Sequence, residues 1–354
     1  MSHPVKLFPK PARSSTRPEN PILVDDADSL WKKELANATT SVASLLEKLD
    51  LSHQIEAVNI QPGFKCLVTE SYIDKIQTGN INDPLLQQVL PLNKETHLRT
   101  QQNGMNDPVG DINAQTSQGL LHKYHGRILL ISTGACAIHC RYCFRRHYPY
   151  QQFSCSNKVL NHALDYLKEH AEIEEVILSG GDPLILDNEK LSDLIEKLET
   201  IKHLHTLRIH TRLPVVLPNR INTGLIQLLK SSRFQIVMVI HANHANELQH
   251  AEYAKLHLLQ QAGITLLNQS VLLKGINDTS ETLVTLSRRL FQCKTLPYYL
   301  HLLDPVKGAM HFEVAKITAL CLKKEMEEQL PGYLVPRLVE EIAGNNSKTA
   351  IFRI

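Results

Sequence analysis

Arg127-Ile128-Leu129-Leu130-Ile131-Ser132-Thr133-Gly134-Ala135-Cys136-Ala137-Ile138-His139-Cys140-Arg141-Tyr142-Cys143 sets an apolar run directly before three cysteines spaced C-x3-C-x2-C. The run reads as a buried strand and the cysteines as the loop that leaves it. Three closely set thiolates suit an iron–sulfur cluster, in which cysteine sulfur binds each iron. A cubane held by three protein thiolates keeps one iron without a protein ligand. That iron is free to bind a small molecule, so the spacing points to chemistry rather than electron storage. The competing reading is zinc. Structural zinc takes four ligands, usually from two paired knuckles. No second C-x2-C follows here, although His139 or His147 could supply a fourth ligand. Cys66, Cys155, Cys293 and Cys321 are scattered singly, and seven cysteines in 354 residues suggest no disulfide framework.

Outward from this loop the pattern is regular. Further apolar, β-branched runs fall at Glu175–Leu178, Thr206–Ile209, Gln235–Ile240, Thr265–Asn268 and Tyr298–Leu303. Helical periodicity separates them at Leu160–His170, Glu189–Ile201, Leu225–Ser231, Ala245–Ala262 and Glu281–Gln292. Six strands alternating with helices imply parallel βα units with right-handed crossovers. An open twisted sheet and an incompletely closed barrel both satisfy that pattern. Polar residues decide for a partial (β/α)6 barrel. Ser179-Gly180-Gly181-Asp182, His210-Thr211-Arg212, His241, Gln269-Ser270 and Asp304 each follow a strand, at the end where a parallel barrel builds its active site.

The expected organisation is a flexible arm over 1–24, a mainly helical region over 25–105, the α/β core over 106–330 and a short C-terminal segment over 331–354. Apolar residues from Asp26 to Leu51 recur at mostly helical intervals, and Gln101–Pro108 is polar and turn-rich. Apolar content of 43% and charged content of 21% are those of a folded globular chain. A net charge of +2 argues against a nucleic-acid footprint, which shows as a strong basic excess. No stretch approaches the roughly eighteen apolar residues of a membrane span. Without a secretory apolar region, the chain is expected in the cytoplasm.

Ser179-Gly180-Gly181-Asp182-Pro183 lets a ligand approach the backbone closely, with Asp182 able to accept hydrogen bonds from an ammonium group; a tight βα turn explains the same residues. Together with Cys136, Cys140 and Cys143, and the aromatic Tyr142 before the last cysteine, this run resembles the radical S-adenosylmethionine enzymes. The resemblance implies a [4Fe–4S] cluster whose open iron chelates S-adenosylmethionine, with Ser179, Gly180, Gly181 and Asp182 toward the cofactor's amino group.

Cys143-Phe144-Arg145-Arg146, Thr211-Arg212-Leu213-Pro214-Val215-Val216, Asn268-Gln269-Ser270-Val271-Leu272-Leu273-Lys274-Gly275 and Ser347-Lys348-Thr349 are similar to lysine 2,3-aminomutases. The similarity runs from about Asp83 to Thr349. It implies pyridoxal 5′-phosphate as a further cofactor, bound covalently by Lys348, and L-lysine as substrate. Residue by residue, it implies Arg145 for the substrate carboxylate, and Asp304 and Glu341 for the distal ammonium. Glu341 stands where the family has aspartate, so the pocket is expected to shift or shorten. It further implies Lys123 and Arg127 near the pyridoxal phosphate, and His241 and Gln269 on the S-adenosylmethionine side.

Leu121-His122-Lys123-Tyr124, Gly308-Ala309-Met310-His311-Phe312 and Gly332-Tyr333-Leu334-Val335-Pro336 resemble a bacterial branch that supplies (R)-β-lysine to elongation factor P through a separate lysyl ligase. The sequence ends at Ile354, so the zinc-binding C-terminal extension of clostridial-type members is expected to be absent. Homo-oligomerisation is left open. Two other readings remain at this point: an aminomutase for another amino acid, and a non-catalytic iron–sulfur or zinc docking protein.

Overall fold

The structure is a computed structural model that describes residues 24–61, 63–117, 119–150 and 157–352. The expected arm over 1–24 lies outside the described residues except for Val24, and Cys155 lies outside them too.

Ten strands among the described residues form one sheet whose spatial order equals chain order. They are β1 (Gln115–Ser117), β2 (Leu120–Tyr124), β3 (Arg127–Thr133), β4 (Glu175–Gly180), β5 (Thr206–Thr211), β6 (Gln235–Ile240), β7 (Thr265–Val271), β8 (Leu296–His301), β9 (Arg337–Glu340) and β10 (Thr349–Ala350). Neighbours from β3 to β9 pair in parallel. The edges, β1–β2–β3 and β9–β10, pair antiparallel. Every crossover therefore advances in one direction. Right-handed connections that never reverse put all their helices on one face and curl the sheet around the other. This is the partial barrel.

The six strands expected from sequence are present with ends shifted by up to three residues. A seventh parallel strand, β9, follows the helix Lys316–Gln329; four residues are too few to show a period. The expected helix over Ala245–Ala262 divides into a turn, Ala245–Glu247, and a helix, His250–Gln261. The His244 ring accepts from the Asn246 amide at 3.2 Å and Glu252 from the Gln249 amide at 2.9 Å, so each piece has its own cap.

Helix starts are capped locally as well. Asp187, Asn222 and Thr279 accept from backbone amides three residues on. The helix Asn188–Glu199 then buries Leu191, Leu194, Ile195 and Leu198, the stripe expected of an amphipathic helix. These residues share one apolar cluster with Val176, Leu178, Leu207, Ile209, Met238 and Leu266 on the outer face of the sheet. Trp31, Leu45, Leu46, Leu85 and Leu90 belong to the same cluster, so the N-terminal residues complete the core of the barrel. The chain at Met105 bonds to the loop after β8, with Met105 N donating to Pro305 O at 2.7 Å and Lys307 N to Met105 O at 3.0 Å.

The inner face differs. Along β5 fully buried Leu207, Ile209 and Thr211 alternate with half-buried Arg208 and His210; along β7 Leu266, Asn268 and Ser270 alternate with half-buried Leu267, Gln269 and Val271. Residues two apart share a face. The barrel thus has a lumen lined by polar side chains.

Candidate active site

β3 delivers the cysteine loop to the rim of that lumen. The thiols of Cys136, Cys140 and Cys143 are free and half-buried. Burial first, and then Cys143, Asp182 and Cys140, push the Cys136 thiol well above its usual range; burial and Cys140 push Cys143 up to about 11. Thiols close enough to suppress one another's ionisation suit a site whose metal takes up the thiolate charge. Among the described residues no three His, Cys, Asp or Glu side chains stand at the spacing of a single ion. His139 Nδ1 hydrogen-bonds to Lys65 O at 3.0 Å and His147 Nε2 to Lys307 O at 3.1 Å, rather than to the thiols. The donor set fits a cluster.

The paired glycines have a local cause. Gly180 has φ +126°, and a Cβ there would lie 2.3 Å from Thr133 O; one on Gly181 would lie 2.1 Å from Ala135 O. Gly181 N donates to Thr133 O at 2.7 Å and Asp182 N to Ala135 O at 2.8 Å. The backbone leading to Cys136 is thus laid directly on the end of β4. Asp182 accepts from Thr211 Oγ1 at 2.7 Å, Arg212 N at 2.7 Å and Leu184 N at 3.1 Å, and burial raises its carboxyl to about 6. It fastens the ends of β4 and β5 together.

The far side of the loop is held by the N-terminal residues. Glu95 receives Arg141 Nε at 2.8 Å and Arg146 Nη2 at 2.9 Å, all three side chains being nearly inaccessible. Arg141 N donates to Gln88 O at 2.8 Å and His139 N to Leu67 O at 2.9 Å. Removing one member of a buried charge cluster strands the others, at a cost of about 3–5 kcal/mol. Glu95→Ala is therefore expected to lower the unfolding free energy by about that amount in urea titration. Lys168→Ala, whose pair with Asp165 is exposed, is expected to change it by less than about 0.5 kcal/mol.

Inside the lumen, the Lys348 amine lies 2.9 Å from Glu341 Oε2 and 5.7 Å from the centre of the Tyr299 ring. Tyr124 OH donates to Glu341 Oε1, and the Arg127 guanidinium lies over the Tyr124 ring at 4.8 Å. Lys123 Nζ stands 3.8 Å from Glu341 Oε1 and 2.6 Å from Asp111 Oδ1. Asp111 Oδ2 receives Arg145 Nε at 2.7 Å, and Arg145 Nη1 donates to Ser179 Oγ at 3.0 Å. Burial raises Asp304 to about 7; Lys348 opposes the rise, while Glu341 and Asp111 add to it. The Lys348 charge also depresses His210, His241 and His301, after burial, which dominates in each. His241 falls to about 3, so it is a neutral imidazole, 3.1 Å from Gln269 Nε2. Both Arg212, beside Cys140, and Lys348 act on it electrostatically, and its ring stands 6.2 Å from that of His210.

The structure thus gathers Lys123, Arg145, His241, Gln269, Asp304, Glu341 and Lys348 around one lumen, with Ser179 joined through Arg145 and Arg127 through Tyr124. Gly180, Gly181 and Asp182 face the cysteine loop. Sequence reasoning missed Asp111, Tyr299, His301 and Arg208. Arg208 could have been found: it shares the alternation of His210 with Leu207 and Ile209, which betrays a strand with a polar inner face. Asp111 carried no local signal, because its partner Arg145 is 34 positions away.

Residues 130–286 match the Radical SAM superfamily. The L-lysine 2,3-aminomutase of Haemophilus influenzae is 44% identical over 335 residues, covering 94% of this chain and 98% of that protein. The L-lysine 2,3-aminomutase of Escherichia coli is 41% identical over 324 residues, covering 91% and 94%. The Clostridium subterminale L-lysine 2,3-aminomutase is 32% identical over 332 residues, covering 93% of this chain and 79% of that protein.

Proposed function

The chain belongs to the lysine 2,3-aminomutase family of radical SAM enzymes, and from that premise we propose that it converts L-α-lysine into (R)-β-lysine in the cytoplasm, for attachment to elongation factor P by a separate ligase. The observation that carries the reading is the seat of the Lys348 side chain. An alkylammonium already rests against Glu341 with Asp304 in electrostatic contact, so the same carboxylates suit the distal ammonium of a lysine substrate. Arg145 offers a planar fork for the substrate carboxylate, held in place by Asp111 and Ser179. Glu341 is fixed by Tyr124, which limits how far its longer side chain can wander.

Cys136, Cys140 and Cys143 would hold the [4Fe–4S] cluster, with Ser179, Gly180, Gly181, Asp182, His241 and Gln269 toward S-adenosylmethionine. Lys348 would hold pyridoxal phosphate, with Lys123 and Arg127 on its phosphate side. When bound, these groups supply hydrogen abstraction by an organic radical and a carrier on which an amino group migrates. The protein orients the substrate and excludes water; neutral His210, His241 and His301 line the lumen without adding charge. The wording of Gly308–Phe312 and Gly332–Pro336 supports the elongation factor branch.

The test is an anaerobic assay of reconstituted protein with labelled lysine; a product other than β-lysine would overturn the reading. The pH dependence sharpens it. Asp304 must be ionised to pair with an ammonium, so the KM for lysine is expected to fall as pH rises from about 6 to 8. Asp304→Asn is expected to flatten that profile and raise KM. In the fold Asp304 keeps its proton up to about 7, against 3.8 ordinarily. The folded state therefore binds more protons than the unfolded chain in that window, and this group's contribution to stability is lost as pH rises through about 7.

A further inference from the structure

We propose that Arg212 tunes the reduction potential of the cluster from outside its ligand set, acting through Cys140. This rests on the reading above that the three thiols hold a cluster. Arg212 follows β5, and its Nη1 donates to the Cys140 sulfur. Its Nη2 donates to Gln88 Oε1 and Glu247 Oε2, each at 2.8 Å, and lies 3.4 Å from Tyr72 OH. The rings of Tyr72 and Tyr142 flank the guanidinium at 5.5 and 5.7 Å. Arg212 is 6% exposed and Glu247 is fully buried.

Glu247 is itself immobilised. Its Oε1 accepts from Asn243 N at 2.8 Å, His244 N at 3.0 Å and Gln88 Nε2 at 3.1 Å. The guanidinium is therefore pinned on one side by a carboxylate that cannot swing away, and its other arm meets the sulfur. Hydrogen bonds to ligand sulfurs and nearby charge set the potential of an iron–sulfur centre. A buried cation favours the state that carries one more electron, and the Glu247 carboxylate partly offsets that effect. Arg212 is a positioning residue, since it touches a ligand sulfur and not the reacting atoms.

The two partners make opposite predictions. In Arg212→Gln the sulfur loses its charged donor and Glu247 is left unpaired. At a fixed poise the reduced-to-oxidised ratio is expected to fall about tenfold, equivalent to 59 mV for a one-electron couple. In Glu247→Gln the offset disappears while Arg212 remains, and the ratio is expected to rise. Arg212→Lys keeps the charge but cannot bridge sulfur and carboxylate together, and is expected to fall between wild type and Arg212→Gln.

The experiment is a mediated redox titration of the reconstituted full-length chain, without S-adenosylmethionine or lysine, followed by electron paramagnetic resonance of the reduced cluster. Packing damage alone does not move two variants in opposite directions. Should Arg212→Gln fail to hold a cluster, Glu247→Gln and Arg212→Lys decide. Midpoints within error of wild type in those two sink the inference. So does a change confined to S-adenosylmethionine affinity in a parallel binding titration. Wild-type protein that takes up no iron and sulfide instead sinks the functional reading, a separate outcome.

Discussion

Lys348→Ala is expected to cut β-lysine formation at least about a thousandfold, roughly 4 kcal/mol of barrier. The amine is half-buried, paired with Glu341 at 2.9 Å and aimed across the Tyr299 ring, in a lumen where neighbouring imidazoles register its charge. No other lysine among the described residues combines this depth with this position; Lys123, the next in reach, is occupied by Asp111 and the Val109 carbonyl. Borohydride reduction of the wild type with pyridoxal phosphate is expected to leave a phosphopyridoxyl mass on the peptide bearing Lys348, and on no peptide of the variant. Iron and sulfide uptake should not change. An adduct on another lysine, or activity within tenfold of wild type, would falsify the assignment.

Gly181→Ala is the second large effect. The added methyl would stand 2.1 Å from Ala135 O, 2.6 Å from Ala135 C and 2.8 Å from Gly134 C. All three atoms are backbone, so no rotamer change relieves the contact. Ala135 directly precedes Cys136, the first of the three cysteines proposed to hold the cluster, so the strain falls on the loop that presents the sulfurs. The expected outcome is a loss of about 1–3 kcal/mol in stability from overpacking, together with failure to take up iron and sulfide and hence loss of turnover. Gly332→Ala, with nothing within 4 Å of the new atom, is the matched control and should behave as wild type. A Gly181→Ala protein with a full complement of iron shows the loop to be more pliant than its contacts imply.

Much of the architecture was legible because each core strand announces itself. Arg127–Thr133 and Gln235–Ile240 stand where their apolar runs place them, between helices whose stripes are equally plain. β9 and β10 were not legible, being four and two residues long. The contrast within the site has the same origin. The cysteines and glycines proposed for the cofactor site sit in contiguous motifs, and motifs survive in a string of letters. Residues that hold them do not: Glu95 meets Arg141 across 46 positions, and Gln88 meets Arg212 across 124. An acid in an irregular stretch looks the same whether it is solvated or clamping two arginines. Asp182 shows the converse, a residue prominent in its motif whose carboxylate also accepts from one hydroxyl and two backbone amides that tie the strand ends together.

The clamp on the cysteine loop limits what can be transplanted. Its outer grip comes from Leu67, Gln88 and Glu95, all upstream of the stretch 130–286 that carries the superfamily signature. A chimera built by moving that stretch into a foreign scaffold would carry the sulfurs but not their scaffolding. Buried arginines 141 and 146 would arrive without a counter-charge. The cassette that can be exchanged between relatives is therefore longer than the signature, and its upstream seam lies before Leu67.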